Sequence, residues 1–170
     1  QDVSILYQSV NGLEFNIIST HIQGCKAKDM WAGITIDGNY TNELNIYGGS
    51  VIEDAEVAIN SIGGGVFHLN KSILNKNNIG ILIGSYGSNH NGTIENGSEI
   101  KCSQHHSNFI PGVLRAPFFG LISSYGILLP LVGQTGFVQI GNPSYPSNTF
   151  FNLNRAIRTE DWKLDIFNNQ

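Results

Sequence analysis

Two consecutive passes of one pattern decide the fold. The first is Leu44-Asn45-Ile46, then Ser50-Val51-Ile52-Glu53-Asp54-Ala55, then Ala58-Ile59. The second is Phe67-His68-Leu69, then Lys71-Ser72-Ile73-Leu74-Asn75-Lys76-Asn77, then Gly80-Ile81. Ile52 to Leu74 and Ile59 to Ile81 are each 22 residues. Each pass holds three short apolar runs separated by Gly, Asn, Ser or Asp. A helix needs apolar residues every three or four positions, and a hairpin needs two strands around one turn. Neither fits. Three short strands per repeat of this length describe one turn of a coil, and internal periods of this size mean a solenoid.

Outward from this stretch, a small residue followed by Ile recurs as Gly33-Ile34, Ala58-Ile59, Gly80-Ile81, Gly126-Ile127 and Ala156-Ile157. The steps are 25, 22, 46 and 30 residues, and the step of 46 reads as two turns of 23 with one degenerate turn between. A second column is Phe15-x-Ile17, Leu44-x-Ile46, Phe67-x-Leu69, Ile100-x-Cys102, Val138-x-Ile140 and Leu164-x-Ile166. A third is Ile22, Ile52, Leu74 and Phe150 or Phe151. Strand alternation puts Ile34 and Ile36 inward. The same alternation puts Trp31 outward, together with a column of small residues at Gly33, Ala58, Gly80 and Ala156. The expected fold is all-β: a right-handed, single-stranded parallel β-helix of about seven coils of 22–25 residues. Its hand follows from the general rule for parallel crossovers. One domain spans residues 1–170, with an irregular insertion at 85–115. The strand expected inside that insertion is Glu95-Asn96-Gly97-Ser98-Glu99-Ile100. Both ends stop within the pattern, as expected of an excerpt whose neighbours are further coils.

Composition agrees. The 170 residues suit one domain with a sizeable core, and 41% are apolar. Twenty Gly and twenty Asn favour tight turns and left-handed backbone. Only 13% are charged and the net charge is −4, which excludes the clustered Lys and Arg of a nucleic-acid protein. Phe118 to Val132 is almost wholly apolar. Pro117 and Pro130 bracket it and Gly120, Ser123, Ser124 and Gly126 interrupt it, so no membrane span is expected. Cys25 and Cys102 are too few for a disulfide scaffold and lack metal-site spacing. They read as buried small residues, with a bridge as the alternative in an oxidising compartment.

Three phrases carry a family resemblance. They are Cys25-Lys26-Ala27-Lys28-Asp29-Met30-Trp31-Ala32-Gly33-Ile34, Ser50-Val51-Ile52-Glu53-Asp54-Ala55-Glu56-Val57-Ala58-Ile59, and Ile140-Gly141-Asn142 through Asn148-Thr149-Phe150. Together they resemble the large secreted right-handed parallel β-helix repeat proteins of Bacteroidota. The resemblance implies a secreted or outer-cell-surface location, and export by a C-terminal sorting domain is common in that group. No cofactor is expected.

The chemistry of the chain is sparse. Parallel β-helices also host pectin-type lyases and polygalacturonases, but fold alone does not assign activity. The polygalacturonase-like phrases Asn-Thr-Asp, Asp-Asp, Gly-His-Gly and Arg-Ile-Lys are absent. Glu53 and Asp54 are the most suggestive carboxylates. Their equivalents one turn on are Asn75 and Lys76, so an Asp54–Lys76 ion pair in a protruding turn is expected. His105 and His106 adjoin, with His90 upstream, but adjacent strand residues face opposite ways and no metal site is assigned. Exposed aromatics suit stacking on sugar rings, which makes Trp31, Tyr86 and Trp162 candidate ligand contacts beside Glu53, Asp54 and His105. The expected function is a structural or adhesive β-solenoid binding polysaccharide or other cell-surface components. The alternative is a carbohydrate-active enzyme whose catalytic turns are degenerate or lie outside this stretch.

Overall fold

The computed structural model describes residues 3–9, 12–24, 30–38, 42–84, 90–103, 123–129, 136–160 and 162–168. Every regular element among them is a β-strand. Sheet I contains β1 (Ser4–Ser9), β4 (Gly33–Gly38), β7 (Val57–Ser61), β10 (Ile79–Ile83), β13 (Ser123–Leu129) and β16 (Leu153–Thr159). Sheet II contains β2 (Glu14–Ile18), β5 (Glu43–Tyr47), β8 (Gly65–Asn70), β11 (His90–Glu95), β14 (Gly136–Ile140) and β17 (Lys163–Ile166). Sheet III contains the shorter β3 (His21–Ile22), β6 (Val51–Glu53), β9 (Ile73–Asn75), β12 (Glu99–Lys101) and β15 (Thr149–Phe151). Each strand pairs in parallel with the one three positions along the chain. That order is a parallel β-helix, here five complete triangular coils and two strands of a sixth.

The core is built of like-residue ladders because parallel pairing in register stacks equivalent positions at about 4.8 Å. Sheet I stacks Ile5, Ile34, Ile59, Ile81, Ile127 and Ile157. Sheet III stacks Ile22, Ile52, Leu74, Ile100 and Phe150. In sheet II, Phe15, Leu44, Phe67, Gly92, Val138 and Leu164 form one inward row. Ile17, Ile46, Leu69, Ile94, Ile140 and Ile166 form the other. Burial of each Val, Leu or Ile stabilises by about 1.5–3 kcal/mol, so the ladders dominate the fold's energetics.

Four sequence expectations change. The 46-residue step between Ile81 and Ile127 is one coil, because these two isoleucines pair directly. No further sheet I strand therefore lies between β10 and β13. The fourth sheet II rung is therefore Gly92-x-Ile94, and Ile100-x-Cys102 belongs to sheet III. Glu95 to Ile100 is not one strand: Glu95 ends β11, Asn96–Gly97 turn with positive φ, and Glu99 starts β12. Of the small-residue column, Gly33, Ala58 and Gly80 are buried rather than outward, whereas Ala156 on the last strand of sheet I is exposed. A Cβ on Gly80 would lie 2.5 Å from the Gly126 carbonyl and 3.0 Å from the core atom Ile100 Cγ2. Gly33, at φ +101°, leaves only 1.7 Å between such a Cβ and the Val57 carbonyl. Where the chain swings from sheet III into sheet I, strict alternation fails and backbones crowd the corner.

Buried polar side chains hold the other corner, between sheets II and III. Ser50, Ser72, Ser98 and Asn148 stack there, each almost fully buried. The Ser72 hydroxyl donates toward the Ile46 carbonyl at 3.1 Å, one coil back, and the Ser98 hydroxyl toward Leu69 at 3.2 Å. Asn148 does the same with an amide: Nδ2 donates to Ile94 O at 2.8 Å while Oδ1 accepts from Ser98 N at 3.0 Å. Asn77 repeats the device at the opposite corner, donating to Ile52 O and accepting from Ala55 N. These bonds satisfy backbone groups that a turn would otherwise leave buried and unpaired.

Candidate functional site

The outer face of sheet II carries the most regular array of polar side chains among the described residues. The residues between the inward pairs fall into register as Asn16, Asn45, His68, Thr93, Gln139 and Asp165, one per coil. A flanking row runs Glu14, Glu43, Val66, Asn91, Phe137 and Lys163. On the other flank Asn70 pairs with Glu95. A groove of about 460 Å³ crosses four coils here, lined by Glu14, Asn16, Asn45, Tyr47, His68, Asn70 and Glu95, with Ile46 beneath.

The groove's polar groups are held in place by neighbours. His68 Nδ1 lies 2.8 Å from Thr93 Oγ1. Asn70 Nδ2 donates to Glu95 Oε1 at 3.1 Å, and Asn96 Nδ2 donates to Asn70 Oδ1 at 2.9 Å. Asn16 Nδ2 reaches Glu14 Oε2 at 3.4 Å. The lining has two carboxylates and neither Lys nor Arg. It can accept and donate hydrogen bonds along its length, and it opposes a polyanion.

A second cluster surrounds Glu53. Its backbone pairs with Asn75, and Asp54 and Lys76 follow on successive coils with φ of +61° and +55°. Lys76 Nζ lies 3.0 Å from Asp54 Oδ1 and 3.4 Å from Glu53 Oε2. Glu53 Oε2 also accepts from Asn75 Nδ2 at 2.9 Å, and Oε1 lies 2.9 Å from His21 Nε2. Burial alone would raise the Glu53 carboxyl. The Lys76 charge and the bonds from His21 and Asn75 outweigh it and hold the carboxyl below its ordinary value. The expected Asp54–Lys76 pair is present. Glu53 is nearly buried and engaged at both oxygens, so the cluster clamps three coils together.

The other sequence candidates do not converge. Trp31 is 6% exposed, which corrects its outward placement. It forms an isolated bridge with Ala55 at a coil corner, so strand alternation does not extend through it. Its Nε1 donates to the Glu53 carbonyl at 2.8 Å, and its ring packs in the core. Trp162 stands four coils further on, edge-on to buried His90 at 6.1 Å between ring centroids. Tyr47 lines the sheet II groove, whereas Tyr125 lies on sheet I near Arg155 and Arg158. Tyr86, His105 and Cys25 lie outside the described residues. Cys102 is buried and packs against Met30. His90 is in the core with Nδ1 3.0 Å from Ser61 Oγ. Among the described residues no three His, Cys, Asp or Glu side chains gather as a metal site. No described helix is long and apolar enough to cross a membrane.

The sheet II ladder was missed from sequence although its signal was present. Asn16, Asn45 and His68 are the middle residues of the Phe-x-Ile, Leu-x-Ile and Phe-x-Leu column. Comparison with protein-family models, with curated proteins and with solved structures finds no match to this chain.

Proposed function

We propose that this chain is a structural β-solenoid that binds a polysaccharide along the outer face of sheet II, at the surface of or outside its cell. The observation that carries the reading is the match between a repeating surface and a repeating ligand. Asn16, Asn45, His68 and Thr93 recur once per coil, every ~4.8 Å. An extended sugar chain lying along the solenoid axis presents hydroxyls at a comparable interval. Tyr47 supplies a ring on which one sugar could stack. The uncompensated Glu14 and Glu95 favour an uncharged or amine-bearing glycan over a uronate.

Affinity electrophoresis against gels of uncharged, amine-bearing and uronate polysaccharides tests this. The expected result is retardation by an uncharged or amine-bearing polymer, weakened at least tenfold in His68→Ala and Asn45→Ala. Retardation by uronate alone overturns the charge argument, and retardation by none overturns the binding reading.

The enzymatic alternative has one geometric foothold. Glu14 and Glu43 adjoin in register one coil apart, a strand spacing of about 4.8 Å that is close to the carboxyl separation of a retaining glycosidase. Both lie near the Tyr7 phenol. Burial first, then Glu43 and Glu14, raises the Tyr7 pKa above its ordinary value. Release of reducing ends from the bound polymer, abolished in Glu43→Gln, would establish catalysis; bound polymer left uncut would dismiss it.

A further inference from the structure

We propose that His68 is the specificity-determining residue of the sheet II groove, and that proton uptake by its ring turns the groove away from cationic glycans. This rests on the reading of the groove as a polysaccharide site and adds which ligand charge the site accepts, and when.

His68 stands at the centre of the outer row, with Asn45 on the coil before and Thr93 on the coil after. Its strand, β8, is the third of six in sheet II counted from β2, so neighbouring strands cover both of its edges. The ring is half-buried and is held by the 2.8 Å contact between Nδ1 and Thr93 Oγ1. Among the described residues no bond reaches Nε2, and His68 lines the groove, so Nε2 is the ring atom offered to a ligand.

The Thr93 contact ties the ring's proton count to what Nε2 presents. A neutral imidazole carries one N–H, and a hydroxyl either donates or accepts. When the Thr93 hydroxyl donates to Nδ1, Nε2 is a donor; when Nδ1 donates to the hydroxyl, Nε2 is an acceptor. In the imidazolium Nδ1 donates to Thr93 Oγ1, Nε2 donates toward the groove, and the ring carries a full positive charge. Imidazole is the side chain that ordinarily changes charge between about pH 5 and 8. The other ionisable kinds in the lining are carboxyl and phenol, which ordinarily change charge outside that interval.

The surrounding charges fix the direction of the effect. Glu95 on β11 and Glu14 on β2 line the groove, and the lining holds neither Lys nor Arg. Glu43 and Tyr47 flank Asn45 on β5, while β8 itself adds Val66 and Asn70, which carry no charge. Lys71 follows Asn70 at the corner and does not line the groove. A proton on His68 therefore cancels half the charge of the two lining carboxylates. A fixed cation on a ligand then meets a weaker field, and one charge about 7 Å away is worth about three- to tenfold in affinity. A sugar hydroxyl both donates and accepts, so it finds a partner at Nε2 in either state.

Two polymers whose own charge does not vary with pH test this: quaternised chitosan, a fixed cation, and hydroxyethyl cellulose, which has no charge. Binding of each to the purified chain is measured at pH 8 and pH 5.5, with circular dichroism confirming the fold. Affinity for quaternised chitosan should fall about three- to tenfold in acid, and affinity for hydroxyethyl cellulose less than about twofold. In His68→Gln the acid loss should vanish from whatever affinity remains, although the other histidines of the chain still titrate. By reciprocity, bound quaternised chitosan should move the NMR titration of the His68 ring to lower pH. Equal pH dependence for the two polymers, an acid loss that persists in His68→Gln, or a ring titration unmoved by the bound cation would each overturn the role of His68 while leaving the groove a glycan site. Binding of neither polymer at either pH would overturn both.

Discussion

The Phe67 ring occupies the space that Gly92 leaves one coil further along the sheet II ladder. A Cβ built on Gly92 would lie 2.0 Å from Phe67 Cζ. The two residues are register partners, so one large ring serves two rungs of the core. Gly92→Ala is expected to destabilise by about 2–3 kcal/mol through overpacking. Phe67→Leu opens a gap and costs about 1–3 kcal/mol. The double variant should cost less than the sum, because the smaller side chain makes room for the added methyl. Urea unfolding of the four proteins measures the coupling; strict additivity would show that the pair does not share one space.

The Glu53 clamp predicts an acid limb in stability. Its folded carboxyl lies below the ordinary glutamate value. The unfolded chain therefore binds the proton more readily. The clamp's contribution is fully present above the unfolded value of about 4.3 and disappears as pH falls through the lower folded value. Glu53→Gln should remove that step and flatten unfolding free energy against pH across this range. A parent chain whose urea midpoint is unchanged from pH 6 to pH 3 would contradict the account.

The Asn148 amide bridges two coils in the fully buried corner, donating to Ile94 O and accepting from Ser98 N. Asn148→Ala leaves both backbone groups buried and unpaired, at a cost of about 2–4 kcal/mol. Ser72→Ala should cost only about 1 kcal/mol, since that hydroxyl's donation alone is lost and the space barely changes. Amide hydrogen exchange at Ser98 reports the effect locally: faster exchange in Asn148→Ala is expected, and unchanged protection counts against the bridge.

Much of the architecture was readable in advance because a parallel coil writes its own period. Ile34, Ile59, Ile81, Ile127 and Ile157 are identical residues in one column, since each must fill the same slot above the next. The Asp54–Lys76 pair was equally legible, because coil period and positive-φ corner together place these two residues side by side. The candidate face on sheet II was half legible. Its inward neighbours were listed by column, but the residue between them was left as an unspecified polar position.

Sequence by itself determined that the chain coils and which Ile and Leu columns line the core, because periodicity acts through local strand geometry. Only the tertiary structure decided how many coils there are. The spacing of 46 residues allowed two turns or one long one, and direct pairing of Ile81 with Ile127 selects one. It also decided that Trp31 packs inward at a corner where no strand alternation applies, and that Gly33, Ala58 and Gly80 are enclosed. Glu53 was likewise settled by its partners: His21 comes from the coil before and Asn75 and Lys76 from the coil after, and their meeting depends on how coils stack rather than on any pattern within one. The opening motif thus marks the frame, while its carboxylates are absorbed into holding the frame together.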